Sequence, residues 1–336
     1  MKLGIYISYK HATREDMARK TEEHLEQVRV MRESGLDSVW AGQHWVPHPF
    51  QMLQPIPFLA RAAAEAGDML IGTNLLLVPF YHPLDVAEVA TTMDVLTRGR
   101  FALGVGIGYR DFEFENLGVA KRERAERLVE TVEILRRLWT EDTVSYEGKH
   151  YRLKDVGLTM RPVQRPHPPI LIGANVPRAV RRAGELGDGW IASGNVTLDA
   201  LVALTAEYEA GRKAAGRPAP RERYLFIDVH LSDTRRDAIE EIRPYVKAAY
   251  DAFVLWGNRK VESLEVPPEV LAQRFIVGDP GQCVERLREY HRRAGFNHVL
   301  ARVQLPGPES SLPQARVLRT IRLLGTEVAP ALRNLV

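Results

Sequence analysis

One histidine, one amide and two glycine-bearing turns are the groups in this chain best suited to hold and act on a ligand. His44 lies in WAGQHWVPHPF (40–50), just past a predicted strand, where an imidazole could exchange protons. His48 follows four residues later, the spacing of a metal pair on a helix. Pro47 and Pro49 argue against a helix there and no third ligand stands out, so no metal site is expected. Asn74 interrupts the apolar run GTNLLLVPFYHP (72–83). A buried amide needs partners, so it is either a satisfied core residue or a ligand contact. The stretch RFALGVGIGYRDFEFENLG (100–118) suggests a dinucleotide fingerprint, but the third glycine of that pattern falls at Tyr109 and the match fails. Gly104, Gly106 and Gly108 then either ease packing in a narrow barrel or let a flat ligand approach the backbone. In IGANVPRAV (172–180), Asn175 is placed to cap a helix, Pro177 fits its first turn and Arg178 adds positive charge. Free N–H groups at such a start suit a phosphate, although an ordinary barrel helix begins the same way.

The elements that position these groups alternate along the chain. Strands are expected at 3–8, 37–42, 68–78, 99–106, 168–174, 188–193, 224–230 and 297–303. Helices are expected over 15–34, 57–66, 84–97, 120–139, 177–186, 197–215, from 234 onward with a kink at Pro244, after Asp279 with a capping box to Gln282, and over 313–328. About eight strand–helix units in series are the pattern of a (β/α)8 TIM barrel, with a doubly wound open sheet as the alternative. The whole chain, 1–336, reads as a single domain. Residues 140–167 and 256–275, rich in Pro, Gly and charge, read as insertions at the C-terminal mouth. His44, Asn74, the glycine run and Asn175 then fall at the ends of strands two to five, on one barrel face, where barrel enzymes keep their sites.

Composition narrows the classes. With 45% hydrophobic and 26% charged residues the 336-residue chain has material for a large core. A net charge of +3, with acids between the basic residues, does not point to nucleic acid. The only cysteine, Cys283, forms no disulfide framework, which fits a reducing compartment. The N-terminus lacks a signal-peptide core and no apolar stretch spans a membrane, so a cytoplasmic protein is expected.

In order and spacing, GTNLLLVPFYHP, GRFALGVGIGYRDFEFENLG, RPVQRPHPPILIGAN, GELGDGWIASG and VGDPGQCVERL resemble the bacterial luciferase-like superfamily of flavin- and deazaflavin-dependent oxidoreductases. The resemblance covers nearly the whole chain. It implies a barrel with the flavin at its C-terminal mouth and a non-proline cis peptide at Asn74–Leu75 behind the ring. His44 matches the family's active-site histidine. Gly106, Gly108 and Tyr109 match the loop along the ring and ribityl chain. Gly173, Ala174, Asn175, Val176 and Pro177 match the phosphate segment. Glu113 matches a glutamate common in many members. Tyr6, Trp45, Phe50, Phe80, Tyr81 and Glu113 would line a substrate pocket, although each aromatic could equally be core. At Ile107 and Tyr109 the chain departs from subgroups of the family, and sugar-phosphate oxidation is not implied.

The leading expectation is a two-component monooxygenase that receives reduced FMN from a separate flavin reductase and uses O2 on a small organic substrate, with His44 as acid/base. The alternative is an F420-dependent oxidoreductase that passes hydride without O2. A third reading is a flavin-binding protein without catalysis. The family implies a homo-oligomer, dimer or tetramer.

Overall fold

The computed structural model describes residues 1–7, 10–220, 222–255, 274–307 and 309–335. Eight parallel strands close on themselves: β1 (Lys2–Tyr6), β2 (Ser38–Ala41), β3 (Leu70–Thr73), β4 (Phe101–Gly106), β5 (Ile170–Gly173), β6 (Gly189–Ser193), β7 (Tyr224–Leu231) and β8 (His298–Arg302). The ring closes where Tyr6 of β1 pairs with Arg302 of β8 and where Ile172 of β5 pairs with Val105 of β4. The fold is therefore a (β/α)8 TIM barrel.

Helices return the chain between strands: α1 (Met17–Glu33), α2 (Pro55–Ala66), α3 (Pro83–Leu96), α4 (Arg124–Thr140), α5 (Pro177–Leu186), α6 (Leu198–Ala214), α7 (Arg235–Leu255), α8 (Pro280–Ala294) and α9 (Gln314–Leu323). Their apolar faces pack on the outer face of the sheet. Leu25, Val28 and Met31 of α1 and Leu128, Val132, Leu135 and Trp139 of α4 are all buried, as a 3.6-residue period requires. Inside the barrel, Tyr6, Trp40, Ala102, Leu171, Ile191, Tyr224 and Leu300 form a separate packed layer. They alternate with outward residues along each strand, so the barrel is filled.

Local chemistry explains the boundaries. Asp279 caps α8 in a capping box with Gln282, and Gly295 ends that helix with φ +71°. Pro244 does not end α7, which runs through it. The expected strand 68–78 divides into Leu70–Thr73 and Leu76–Leu77, separated by a cis peptide bond at Asn74–Leu75.

Two connecting segments carry the remaining elements. Residues 140–167 leave α4 at the end of the barrel away from the mouth. There Arg161 donates to the Leu138 and Glu141 carbonyls, and Gln164 reaches Asp94 and the Phe101 carbonyl. The hairpin Val144–Glu147/Arg152–Val156 then climbs the flank of α4, and at its turn Tyr151 reaches the Tyr81 carbonyl (3.3 Å). In a parallel barrel a segment after a helix starts at the bottom, and the hairpin carries this one to Tyr81, after β3. Between β7 and α8 the chain holds α7 and a short strand, Phe275–Gly278, that extends β7. Most of the expected insertion 256–275 lies outside the described residues.

Candidate active site at the barrel mouth

The loop after β2 and the turn after β4 meet at one carboxylate. Glu113, on the short helix Asp111–Asn116, is completely buried. Its Oε1 accepts from His44 Nδ1 (3.1 Å), the Trp45 backbone N–H (3.0 Å) and Arg110 Nη1 (3.3 Å). Arg110 also donates to the carbonyls of Trp45 (2.7 Å) and Val46 (3.3 Å). It thereby holds the His44 loop through a residue, Val46, whose φ of +41° is unfavourable for a β-branched side chain. Gln43 ties the other side of the loop. It accepts from the Leu77 N–H (3.1 Å) and donates to Gln54 (2.8 Å) and to the Tyr81 hydroxyl, while Gln54 donates to the His44 carbonyl (3.2 Å).

These contacts set protonation. Burial lowers His44 below the usual imidazole value, although the Glu113 hydrogen bond opposes the shift. Burial alone would raise Glu113, but His44, the Trp45 N–H and Arg110 outweigh it and hold its carboxyl below the usual range. His44 is therefore neutral near pH 7, with its proton on Nδ1 facing a carboxylate. The Tyr109 ring stands edge-on to His44 at 5.6 Å, and burial followed by the charge of Glu113 raises its phenol, which stays protonated.

Charged residues that sequence reading passed over complete the floor. Arg302, at the end of β8, makes a bidentate pair with Asp228 of β7, both buried, and lies 5.5 Å over the Phe226 ring. Phe226 packs on Tyr6 at 4.9 Å. Lys10 is buried in the same region, and burial and then Arg302 lower its amine well below the usual value. One signal was present for two of them: Asp228 and Arg302 are single charges in the otherwise apolar strand runs YLFIDVH and NHVLARV.

The opposite side of the mouth carries the cis bond and the phosphate-type segment. Asn74 donates its backbone N–H to the Ala41 carbonyl (2.6 Å), and its own carbonyl approaches Gly42 so closely that a Cβ there would lie 2.4 Å away. The Leu75 side chain fills the space beside Gly106 and Gly173, where added Cβ atoms would meet its Cδ1 at 2.7 and 2.2 Å. Gly108, at φ +71°, turns the chain toward Tyr109, and Arg124 fixes its carbonyl (2.9 Å). Asn175 does not cap α5. Its Oδ1 accepts from the Ser193 N–H (3.3 Å), and the N-cap is Val176, with no side-chain cap bond. Ala174 accepts from the Trp190 indole (2.9 Å). Pro177, like Asn175 and Val176, is exposed.

The aromatic candidates separate. Trp45 and Tyr81 are neighbours (6.2 Å), whereas Phe80 packs on Phe114 (4.7 Å) behind the glycine turn. Phe50 sits in a short strand pair with His11–Ala12. It lines a cavity of about 1060 Å³ together with Arg14, Pro244, Lys247 and Gly307. Among the described residues no cluster could hold a metal ion.

Several buried polar atoms at the mouth lack a partner: Trp45 Nε1, Asn74 Nδ2, Tyr109 Oη and Glu113 Oε2. Unsatisfied groups are costly in a core and are expected where a ligand supplies the missing bonds. Together with an uncapped helix start and glycines at the strand ends, they fit a flat ring bearing a phosphate. A TIM barrel with a carboxylate–histidine pair and such a cradle at its C-terminal mouth defines a cofactor-dependent barrel enzyme. Residues 1–298 match the luciferase-like monooxygenase family, and the chain belongs to it. It is 31% identical over 320 residues to an F420-dependent glucose-6-phosphate dehydrogenase of Microbacterium testaceum, covering 91% of each chain. Two solved structures share the fold. One is the oxygenating component of 3,6-diketocamphane monooxygenase from Pseudomonas putida, in complex with FMN (TM-score 0.81, 18% identity, 99% of this chain and 98% of that one). The other is an F420-dependent secondary alcohol dehydrogenase (TM-score 0.79, 22% identity, 99% of each). The protein is thus a luciferase-like flavin- or F420-dependent oxidoreductase. No described helix is long and apolar enough to cross a membrane.

Proposed function

We propose that the enzyme is an F420-dependent oxidoreductase that interconverts an alcohol and a carbonyl on a small molecule without O2. The observation that carries this is the pair of His44 and fully buried Glu113 (3.1 Å), with His44 held neutral. Oxidising an alcohol needs a base for the hydroxyl proton, and a neutral imidazole with its other nitrogen anchored is such a base. His44 would accept that proton at Nε2 and return it in the reverse direction. Glu113 orients the ring and stabilises the imidazolium that forms, while Arg110 keeps Glu113 charged and the loop in place. When bound, the deazaflavin supplies the two-electron acceptor. Gly173–Pro177 would hold its phosphate, with Asn74, Gly106, Gly108 and Tyr109 along the ring and ribityl chain. Similarity at 31% identity to an F420-dependent dehydrogenase supports this reading over the FMN monooxygenase expected from sequence, and a flavin reductase then has no part in it.

The test is turnover of an alcohol panel with oxidised F420 under nitrogen, beside FMNH2 with O2. F420 reduction under nitrogen is the expected result. Product formation only with FMNH2 and O2 would overturn the proposal.

A further inference from the structure

Two large apolar side chains stand in solvent beside the His44–Glu113 pair. Val46, in the loop after β2, is 63% exposed, and Phe112, on the short helix after β4, is 43% exposed. One guanidinium joins them. Arg110 donates to the Val46 carbonyl (3.3 Å), and its Cζ lies 5.6 Å from the centroid of the Phe112 ring. The same guanidinium reaches Glu113 (3.3 Å), the acceptor of His44. Val46 follows His44 by two residues, so covalent geometry keeps their Cα atoms within about 7 Å.

Val46 is also held against its own preference. A β-branched residue at φ +41° is strained, and such strain persists only where neighbours impose it. Here they do. The Val46 carbonyl accepts from Arg110 and from the His48 N–H (2.9 Å), and Arg110 also donates to the Trp45 carbonyl (2.7 Å). All of these bonds are to backbone, so a glycine would make them equally well and without the strain. A side chain this exposed adds little to the core, so burial does not account for the valine either. Apolar side chains exposed together beside a site mark a surface that a ligand covers.

We propose that Val46 and Phe112 form an apolar rim that contacts the body of the substrate while its hydroxyl lies at His44. The substrate class is then an alcohol carrying a hydrocarbon or aromatic body of several carbons, rather than a polyol. Covering the two side chains releases their water, and the gain grows with each carbon that does so. The inference deepens the proposed function and rests on that reading in placing the hydroxyl at His44.

The test measures binding without cofactor, so its failure is separable from failure of the F420 reading. Ligand-observed NMR titrates n-butanol, n-hexanol and n-octanol against the wild-type protein, Val46→Gly, Val46→Leu and Phe112→Ser. Wild-type affinity should rise along the series. In Val46→Gly and in Phe112→Ser the advantage of n-octanol over n-butanol should fall about 5-fold. Val46→Gly should melt no lower than wild type, because φ +41° suits glycine. Val46→Leu, which keeps an apolar side chain, should retain the advantage. No wild-type advantage, an unchanged advantage in either Val46→Gly or Phe112→Ser, or equal losses for all three alcohols would overturn the rim. So would loss of the advantage in Val46→Leu, which would mean that Val46 acts through the fold. A thermal melt establishes that each variant is folded, and the two Val46 variants decide if Phe112→Ser is not.

Discussion

Glu113→Gln is the sharpest perturbation of the mouth. Gln keeps the size and its amide oxygen can still accept from the Trp45 N–H, but the charge is lost. Arg110 is then buried, 5% exposed, without its carboxylate partner. Breaking a buried ion pair by removing one side costs about 3–5 kcal/mol. Because Arg110 keeps its bonds to the Trp45 and Val46 carbonyls, the lower end applies, about 3 kcal/mol in urea unfolding at pH 7. The folded Glu113 carboxyl lies below its unfolded value. Its stabilisation is therefore present above the unfolded value and lost as pH falls through the folded one, so the deficit of the variant shrinks in acid. In catalysis, His44 remains but loses its orienting acceptor, and kcat should fall about 100-fold. The acid limb of kcat/KM reports the free His44, which sits below 6.5. Glu113 raises His44 through its hydrogen bond and charge. Removing it should move the limb to lower pH while the plateau drops. The assay is F420 reduction under nitrogen over roughly pH 4.5 to 8, the range that brackets an imidazole. A variant with near wild-type kcat and an unmoved limb, or a limb displaced upward, would refute the dyad.

Four further outcomes follow from packing and burial. Gly104→Ala places a Cβ 1.9 Å from the Thr73 carbonyl, a backbone atom, and should cost about 3 kcal/mol in thermal or urea unfolding. Gly106→Ala meets the Leu75 side chain first, should cost about 1 kcal/mol, and should be relieved by Leu75→Val. Asp228→Asn leaves Arg302 buried without its partner carboxylate and should cost about 3–5 kcal/mol by urea titration. Burial lowers His11 to about 4, so its stabilising contribution, present above 6.5, is lost as pH falls toward 4. His11→Gln should flatten the pH dependence of unfolding in that window by roughly 3 kcal/mol.

The eight barrel strands stand where apolar runs bounded by glycine and proline placed them, because a strand covered by helices on one side and a packed interior on the other has to be apolar. Asp279 and Gly295 marked the ends of α8 for equally local reasons. Expectation failed where tertiary partners outbid local ones. Asn175 has capping chemistry, but the Ser193 N–H takes its oxygen. Two-residue strands such as His11–Ala12 carry no periodicity to read. The site shows the same division. His44 was legible as a residue type at a strand end and Glu113 only through the family resemblance, but their contact spans 69 positions, and nothing local reports it. Lys10 and Arg110 were missed because a single basic residue in a loop usually reads as solvated, and only the folded mouth shows them buried.

The glycine run takes on a more definite meaning once the barrel is closed. Gly104 accommodates the Thr73 carbonyl, and Gly106 shares with Gly173, from the neighbouring strand, the work of receiving Leu75. Strand β3 ends at Thr73, the chain bends at Asn74, and Leu75 turns inward over the two glycines. The bare positions on β4 and β5 thus make room first for a side chain of β3. A ring lying at the mouth would rest on that leucine and the adjoining backbone, across the barrel from Arg302 and Asp228. The polar floor and the apolar platform then face each other, with His44 and Tyr109 between the β2 and β4 loops that carry them. On that division a ring on the β3–β5 side would face, across the barrel, the buried Lys10, Asp228 and Arg302 of the β1, β7 and β8 side.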